Sequence, residues 1–222
     1  IGKRVMTNGC LRDWSDPLNR EKTTYFGSEC DGGFAEYTVT NHKDVCVVNT
    51  DLSDAELATF ACSYSAAEGM LTRANVTAED TVLVTGASGG VGSALIQLAK
   101  RRGATVVAMT SKSKQEAVAA LNPDYIIDRS PEDLQATLIE TIGRNKVSVV
   151  ADIVGGAYFG TLLEALERGG RYTSSGAIAG PIVDLDMRTF YLNDLTMTGS
   201  TVVTPDIYPR LTSYIENGEV KP

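Results

Sequence analysis

The sequence predicts an α/β protein built on a doubly wound parallel sheet, and three observations predict it. From Leu52 onward, short continuous apolar runs alternate with amphipathic helical patterns, as strands covered by helices on both faces require. The first such strand empties into a glycine-rich turn that opens a helix. Residues 1–50 carry Gly, Asn and Asp turns and short β-branched runs but no long helical pattern, so a β-rich piece precedes the sheet.

In order, Phe34–Thr40 and Val45–Val48 read as strands. Ser53-Asp54-Ala55-Glu56 is a capping box, in which Ser53 accepts from the amide of Glu56 while Glu56 reaches back, so a helix opens there. Thr81–Thr85 is a buried strand, Gly90–Arg102 an apolar-periodic helix, and Ala104–Thr110 the next strand. A second capping box, Ser113-Lys114-Gln115-Glu116, opens the following helix. Strand Tyr125–Asp128 leads to a helix with Ser130 as N-cap and Pro131 in its first position. Strand Val147–Val154, helix Tyr158–Arg168 and strands Arg171–Ser175 and Leu195–Ser200 follow. A last helix, about Pro205–Asn217, stops at Gly218, where a left-handed cap suits glycine.

Bulk properties exclude some partners. A net charge of −8 leaves no basic surface for nucleic acid or anionic lipid, and no apolar run approaches the ~20 residues of a membrane span. The chain begins at Ile1 without a secretory signal and reads as partial. Cys10, Cys30, Cys46 and Cys62 form no C-x-x-C pair, so free thiols in a reducing cytoplasm are expected rather than a zinc knuckle. The one histidine, His42, sits in the polar stretch Thr40–Asp44 and reads as solvated, which also excludes H-E-x-x-H chemistry.

The turn Gly86-Ala87-Ser88-Gly89-Gly90-Val91-Gly92 lies between a strand and a helix, the context of a Rossmann dinucleotide site. A pyrophosphate there must approach backbone amides at the helix start; Gly89 leaves it room, and Gly92 lets the helix pack on the first strand. Ala87 departs from the usual first glycine. The same letters fit two other motifs. Gly86–Gly90 fits the G-x-S-x-G nucleophile elbow, which needs a histidine after Ser88; none occurs up to Pro222, so that reading requires one beyond it. Thr85–Gly92 fits the T-G-x-x-x-G-x-G of short-chain dehydrogenases, but no tyrosine has a lysine four positions on.

The second strand selects the nucleotide. An NAD site offers a carboxylate at its end for the ribose 2′-hydroxyl. No acid occurs between Gly92 and Glu116, and the strand ends in Thr110-Ser111-Lys112-Ser113-Lys114. Hydroxyls and ammonium groups hold a 2′-phosphate that a carboxylate would repel, so NADP(H) is expected, with Thr110, Ser111 and Lys114 as contacts.

Asp31-Gly32-Gly33-Phe34-Ala35-Glu36-Tyr37, Ala61-Cys62-Ser63-Tyr64-Ser65, the segment Val82–Ala108 and Gly169–Gly180 together resemble the medium-chain dehydrogenase/reductase superfamily, nearest its zinc-independent quinone-oxidoreductase-like branch. The resemblance covers nearly the whole chain. It implies the C-terminal part of a GroES-like substrate domain (1–64), a Rossmann domain (65–201) and the start of a return segment (202–222). It further implies cofactor contacts at Gly86, Ala87, Ser88, Gly89, Gly90 and Val91, at Val154, at Gly176, Ala177 and Ile178, and at Ser200. It places Cys62 where zinc-dependent relatives carry one ligand, although no metal is expected. Asp31 and Glu36 fall at structural positions near a strand start, and Asp184, Asp186 and Arg188 are read as surface ion pairs. A homodimer pairing through the Leu195–Ser200 edge is implied as well.

The expected function is NADPH-dependent hydride transfer to a quinone, carbonyl or activated alkene. A zinc alcohol dehydrogenase and a non-catalytic NADP(H)-binding redox sensor are the alternatives.

Overall fold

In the computed structural model, which describes residues 2–222, contacts divide the chain into two units: residues up to Gly69 with Thr201–Pro222, and Met70–Ser200. In the first unit β1 (Val5–Thr7) and β4 (Val45–Val47) pair antiparallel, as do β2 (Cys10–Arg12) and β3 (Thr23–Tyr25). The predicted strand Phe34–Thr40 does not form. Phe34, Tyr37 and Val39 are each 90% exposed or more, and β-forming composition without a cross-strand partner and a covered face does not make a strand. Asp31 and Glu36 therefore lie in exposed coil rather than beside a strand.

The capping box forms: Ser53 Oγ accepts from Glu56 N at 3.3 Å, Glu56 Oε2 accepts from Ser53 N at 2.8 Å, and α1 (Asp54–Ala58) follows. The longer α2 (Phe60–Arg73), which sequence reading left out, comes next and contains the boundary between the units.

The second unit is a six-stranded parallel sheet. Its strands are β5 (Thr81–Val84), β6 (Thr105–Thr110), β7 (Tyr125–Asp128), β8 (Val147–Asp152), β9 (Leu166–Ser174) and β10 (Thr196–Gly199), in the order β10-β9-β8-β5-β6-β7. All four residues of β5 are buried, as a central strand with two covered faces requires. Of the helices α3 (Gly90–Arg101), α4 (Gln115–Ala119), α5 (Leu134–Ile142), α6 (Phe159–Glu164) and α7 (Met187–Leu192), α5 and α6 bury Leu134, Leu138, Leu162 and Leu163 against Leu83, Val107, Met109 and Val150 of the strands. The last helix, α8 (Ile207–Glu216), returns to the first unit, where Tyr208 donates its hydroxyl to Ala61 O at 2.5 Å; Gly218 follows it at φ +67°.

Three element boundaries and one additional helix differ from expectation. Ser113 does not cap α4: it lies inside a 3-10 turn (Lys112–Lys114), its hydroxyl 3.3 Å from that of Ser111. Ser130 does not cap α5: the helix starts three residues later, where Asp133 Oδ1 accepts from Ala136 N at 2.9 Å, and the Ser130 amide donates to Asp128 Oδ1 at 3.1 Å in the turn before it. The helix predicted over Tyr158–Arg168 ends at Glu164, since Leu166 already pairs with Val147 as the start of β9. The additional helix is α7, which Asp186 caps while pairing with Arg188 at 2.7 Å, the surface ion pair expected of these residues.

At the N-terminal ends of β5, β8 and β9, Asp80 is almost fully buried. Burial alone would raise its carboxyl, but the amide of Thr77, the hydroxyl of Ser148 and the guanidinium of Arg171 hold it below the ordinary carboxylate range. Arg171 also donates to Ala74 O and Asn75 O, both at 2.9 Å, tying the end of α2 to the sheet. Replacing Arg171 with Met should therefore cost about 3 kcal/mol in urea unfolding at pH 7. A carboxyl lowered on folding contributes stability above its unfolded value, so the gap between variant and wild type should close as pH falls below about 4. A gap unchanged at low pH would show that the charge on Asp80 is not the origin.

Candidate functional site

The sheet changes direction of winding at β5, with β6 on one side and β8 on the other, and a crevice of about 760 Å³ opens at the C-terminal strand ends beside it. Ligands of doubly wound sheets bind at such switch points. After β5 the chain turns tightly: Thr85 N donates to Ala151 O (3.1 Å), Ala87 N to Met109 O (3.2 Å) and Gly89 N to Gly86 O (2.9 Å). Helix α3 then starts with Gly89 as N-cap and no side-chain cap, so the amides of its first turn have no side-chain acceptor.

Of the residues singled out from sequence, Gly86, Ser88, Gly89, Thr110, Ser111, Lys114, Val154 and Ile178 line this crevice together. Ala87 does not, being wholly buried with its amide engaged by β6. Gly90 and Val91 form the first turn of α3 beyond the lining. Gly92 is a packing residue rather than a contact: a Cβ there would stand 2.2 Å from Gly86 O. Gly176 and Ala177 lie outside the lining, where residues 178 and 179 take their place. Ser200 is also outside it; it is buried, its amide on Ser174 O at 2.8 Å, and its hydroxyl has no partner.

Sequence reading missed Arg129, Ser130 and Tyr158, which line the crevice too. Because α5 begins only at Leu134, Arg129 and Ser130 stay outside the helix, at the end of β7. No local pattern signals them: β7 runs parallel beside β6, with Asp128 opposite Thr110, and only that pairing brings the residue after Asp128 to the same rim. Burial, and secondarily the charge of Asp133, push the Tyr158 phenol above its ordinary range. The lining contains two cations, Lys114 and Arg129, and no carboxylate. Thr110 is buried at this rim and its hydroxyl has no partner. Buried hydroxyls are ordinarily bonded, so an acceptor or donor is missing here. No histidine lines the crevice, so Ser88 has no base beside it for nucleophilic chemistry; His42 is exposed on a 3-10 turn of the other unit.

A family model described as "Zinc-binding dehydrogenase" matches residues 90–217, more than half of the chain. The chain belongs to the zinc-binding dehydrogenase family. Its relatives are medium-chain dehydrogenases/reductases. The acryloyl-coenzyme A reductase of Metallosphaera sedula is 31% identical over 81% of this chain and 52% of its own length. The NADPH-dependent alkenal/one oxidoreductase of Arabidopsis thaliana chloroplasts is 31% identical over 86% of this chain and 45% of its own. A solved structure from Sinorhizobium meliloti 1021, described as a candidate alcohol dehydrogenase, superposes with a TM-score of 0.94 at 44% identity, covering 100% of this chain and 61% of that one. The chain thus spans about half the length of the curated relatives it matches.

The family name raises zinc. Cys62 lines a separate cavity of about 650 Å³ within the first unit, among Met6, Cys10, Tyr25, Phe26 and Leu57. Zinc needs three or four His, Cys, Asp or Glu ligands at one point, and among the described residues no group of three converges. The residues present do not by themselves make a zinc site. Among the described residues no helix is long and apolar enough to cross a membrane.

Proposed function

We propose that Met70–Ser200 binds NADPH and that the protein transfers its hydride to an activated alkene, carbonyl or quinone. The observation that carries this reading is the crevice rim: Lys114 and Arg129 with Ser111, and no carboxylate, in a chain of net charge −8. A local cationic rim on an acidic protein selects an anion, and a 2′-phosphate is the anion that separates NADPH from NADH. The pyrophosphate would rest on Gly86–Gly89 and the free amides of Gly90 and Val91. The nicotinamide half would rest on Val154 and Ile178. When bound, NADPH supplies the hydride; the chain binds it, orients it and keeps water from its reactive face. The first unit would hold the small-molecule substrate, and the reductases of activated alkenes among the relatives favour that substrate class.

Fluorescence titration with NADPH and NADH, followed by steady-state NADPH oxidation with enals, enones, quinones and aldehydes, tests the reading. Tighter NADH binding would overturn the cofactor. Binding without turnover on any acceptor would favour a redox sensor. One tightly held zinc per chain, required for turnover, would replace the reading by zinc-dependent alcohol oxidation. Four free thiols fit a reducing compartment such as the cytoplasm.

A homodimer is part of the same reading. Strand β10 is an edge strand with Met197 exposed on it, and Met187, Tyr191 and Leu192 of α7, the helix that leads into it, are exposed too. Apolar side chains along an open edge favour pairing with a second copy, which a charge on the edge opposes. Met197→Lys should shift the sedimentation coefficient from dimer to monomer; a wild type already monomeric would overturn this assignment.

A further inference from the structure

Asp152, the last residue of β8, is wholly buried, yet nothing in the reaction above employs it. A carboxyl group buried in such a place is tolerated only if hydrogen bonds replace those it would make to water. Four donors do so. Oδ1 accepts from the Thr85 hydroxyl and from Val154 N (2.9 Å); Oδ2 accepts from the Tyr172 hydroxyl (2.5 Å) and from Gly155 N (3.1 Å). Thr85 Oγ1 in turn accepts from Ile153 N at 3.2 Å. Tyr172 is kept a donor by burial, with the bond to Asp152 adding to it, and its ring packs edge-on against Phe159 at 5.3 Å.

Three successive amides, of residues 153 to 155, are thus fixed by one carboxylate and its neighbour hydroxyl. The loop they define passes its position on: Val154 O accepts from Ala179 N at 2.8 Å, and Gly156 N donates to Gly180 O at 3.1 Å. Val154 and Ala179 both line the crevice. On its other side the loop abuts the glycine turn, since a Cβ on Gly86 would come within 3.0 Å of the Ile153 side chain. Asp80, at the opposite strand ends of the same sheet, has comparable bonds but touches nothing in the crevice.

We propose that Asp152 is a positioning residue for the cofactor: it sets the paired loops 153–156 and 178–180 against which the nicotinamide half rests. The proposal depends on the NADP(H) reading above. Calorimetric titration of the whole protein with NADPH and with 2′,5′-ADP, which lacks the nicotinamide half, tests it. Asp152→Asn keeps the size but offers an amide NH2 where two donors already point. It should weaken NADPH about tenfold and leave 2′,5′-ADP unchanged. Tyr172→Phe, which keeps the ring contact with Phe159, should move NADPH alone by about threefold and serves if Asp152→Asn does not fold. Asp80→Asn is the structural control: its thermal stability should fall while the ratio of the two affinities holds. A wild type that binds neither NADPH nor NADH defeats the cofactor reading itself. With wild-type binding intact, an equal loss for both ligands, or no loss of NADPH in the folded variants, overturns the role of Asp152.

Discussion

Replacing Lys114 with alanine is expected to weaken NADPH binding about tenfold, and Lys114→Ala with Arg129→Ala together about a hundredfold, while NADH changes by less than about twofold. The two cations come from different strands, Lys114 from the 3-10 turn after β6 and Arg129 from the end of β7, and they meet only because those strands lie side by side. Each offers charge-assisted bonds to a dianion that NADH lacks. The rim is solvent-exposed, so each contact is worth the lower end of the range for charged hydrogen bonds. For the same reason the NADPH dissociation constant should rise with ionic strength more steeply than that of NADH. Ser111→Asp should move preference toward NADH, because it restores the acid that normally meets a free 2′-hydroxyl. Equal effects of Lys114→Ala on both nucleotides would place the phosphate elsewhere.

The Lys114–Arg129 pair also marks how far sequence carried the site. Strand β5, the glycine turn and α3 were legible because their signals are local: a run buried on both faces, then glycines, then a 3.6-residue period. Ser111 and Lys114 follow from the end of the next strand, β6, whose run and following turn are equally local. Arg129 does not, since its proximity arises from parallel pairing of Thr110 with Asp128, which no local pattern states. Competition between local signals produced the misplaced helix starts. Ser130-Pro131 reads as a helix start, but the carboxylate of Asp133 supplies the acceptor for Ala136 N, and Ser130 stays in the turn that ends β7, its amide on Asp128. At Phe34–Thr40 composition alone pointed to a strand, but a strand also needs a neighbour. In sequence Asp152 is one more residue at the end of an apolar run, and only the convergence of four donors on it distinguishes it.

Gly92→Ala should be the most damaging single-methyl change in the chain. The added Cβ would stand 2.2 Å from Gly86 O, 2.7 Å from Gly86 C and 2.8 Å from Ala87 Cα. All three are backbone atoms, so no rotamer change can relieve the clash; α3 must move away from the turn that feeds it. The turn cannot yield either, because Ala87 N is bonded to β6 and Ile153 packs against Gly86. Overpacking of this kind costs about 3 kcal/mol. The displaced helix start also carries the amides of Gly90 and Val91 away from the crevice, so the fraction that folds should bind NADPH at least about tenfold more weakly. Gly89→Ala separates the two effects. A Cβ there meets only Gly86 O, at 3.4 Å, and its φ of −88° suits any residue. Stability should stay within about 1 kcal/mol, the usual difference between glycine and alanine at an N-cap. Cofactor affinity should fall nonetheless, because Gly89 lines the space a pyrophosphate would enter. Urea unfolding and NADPH titration of both variants read the two quantities apart. A Gly92→Ala protein as stable as wild type would mean that α3 does not rest on the turn, and a Gly89→Ala protein with unaltered NADPH affinity would mean that no phosphate approaches it.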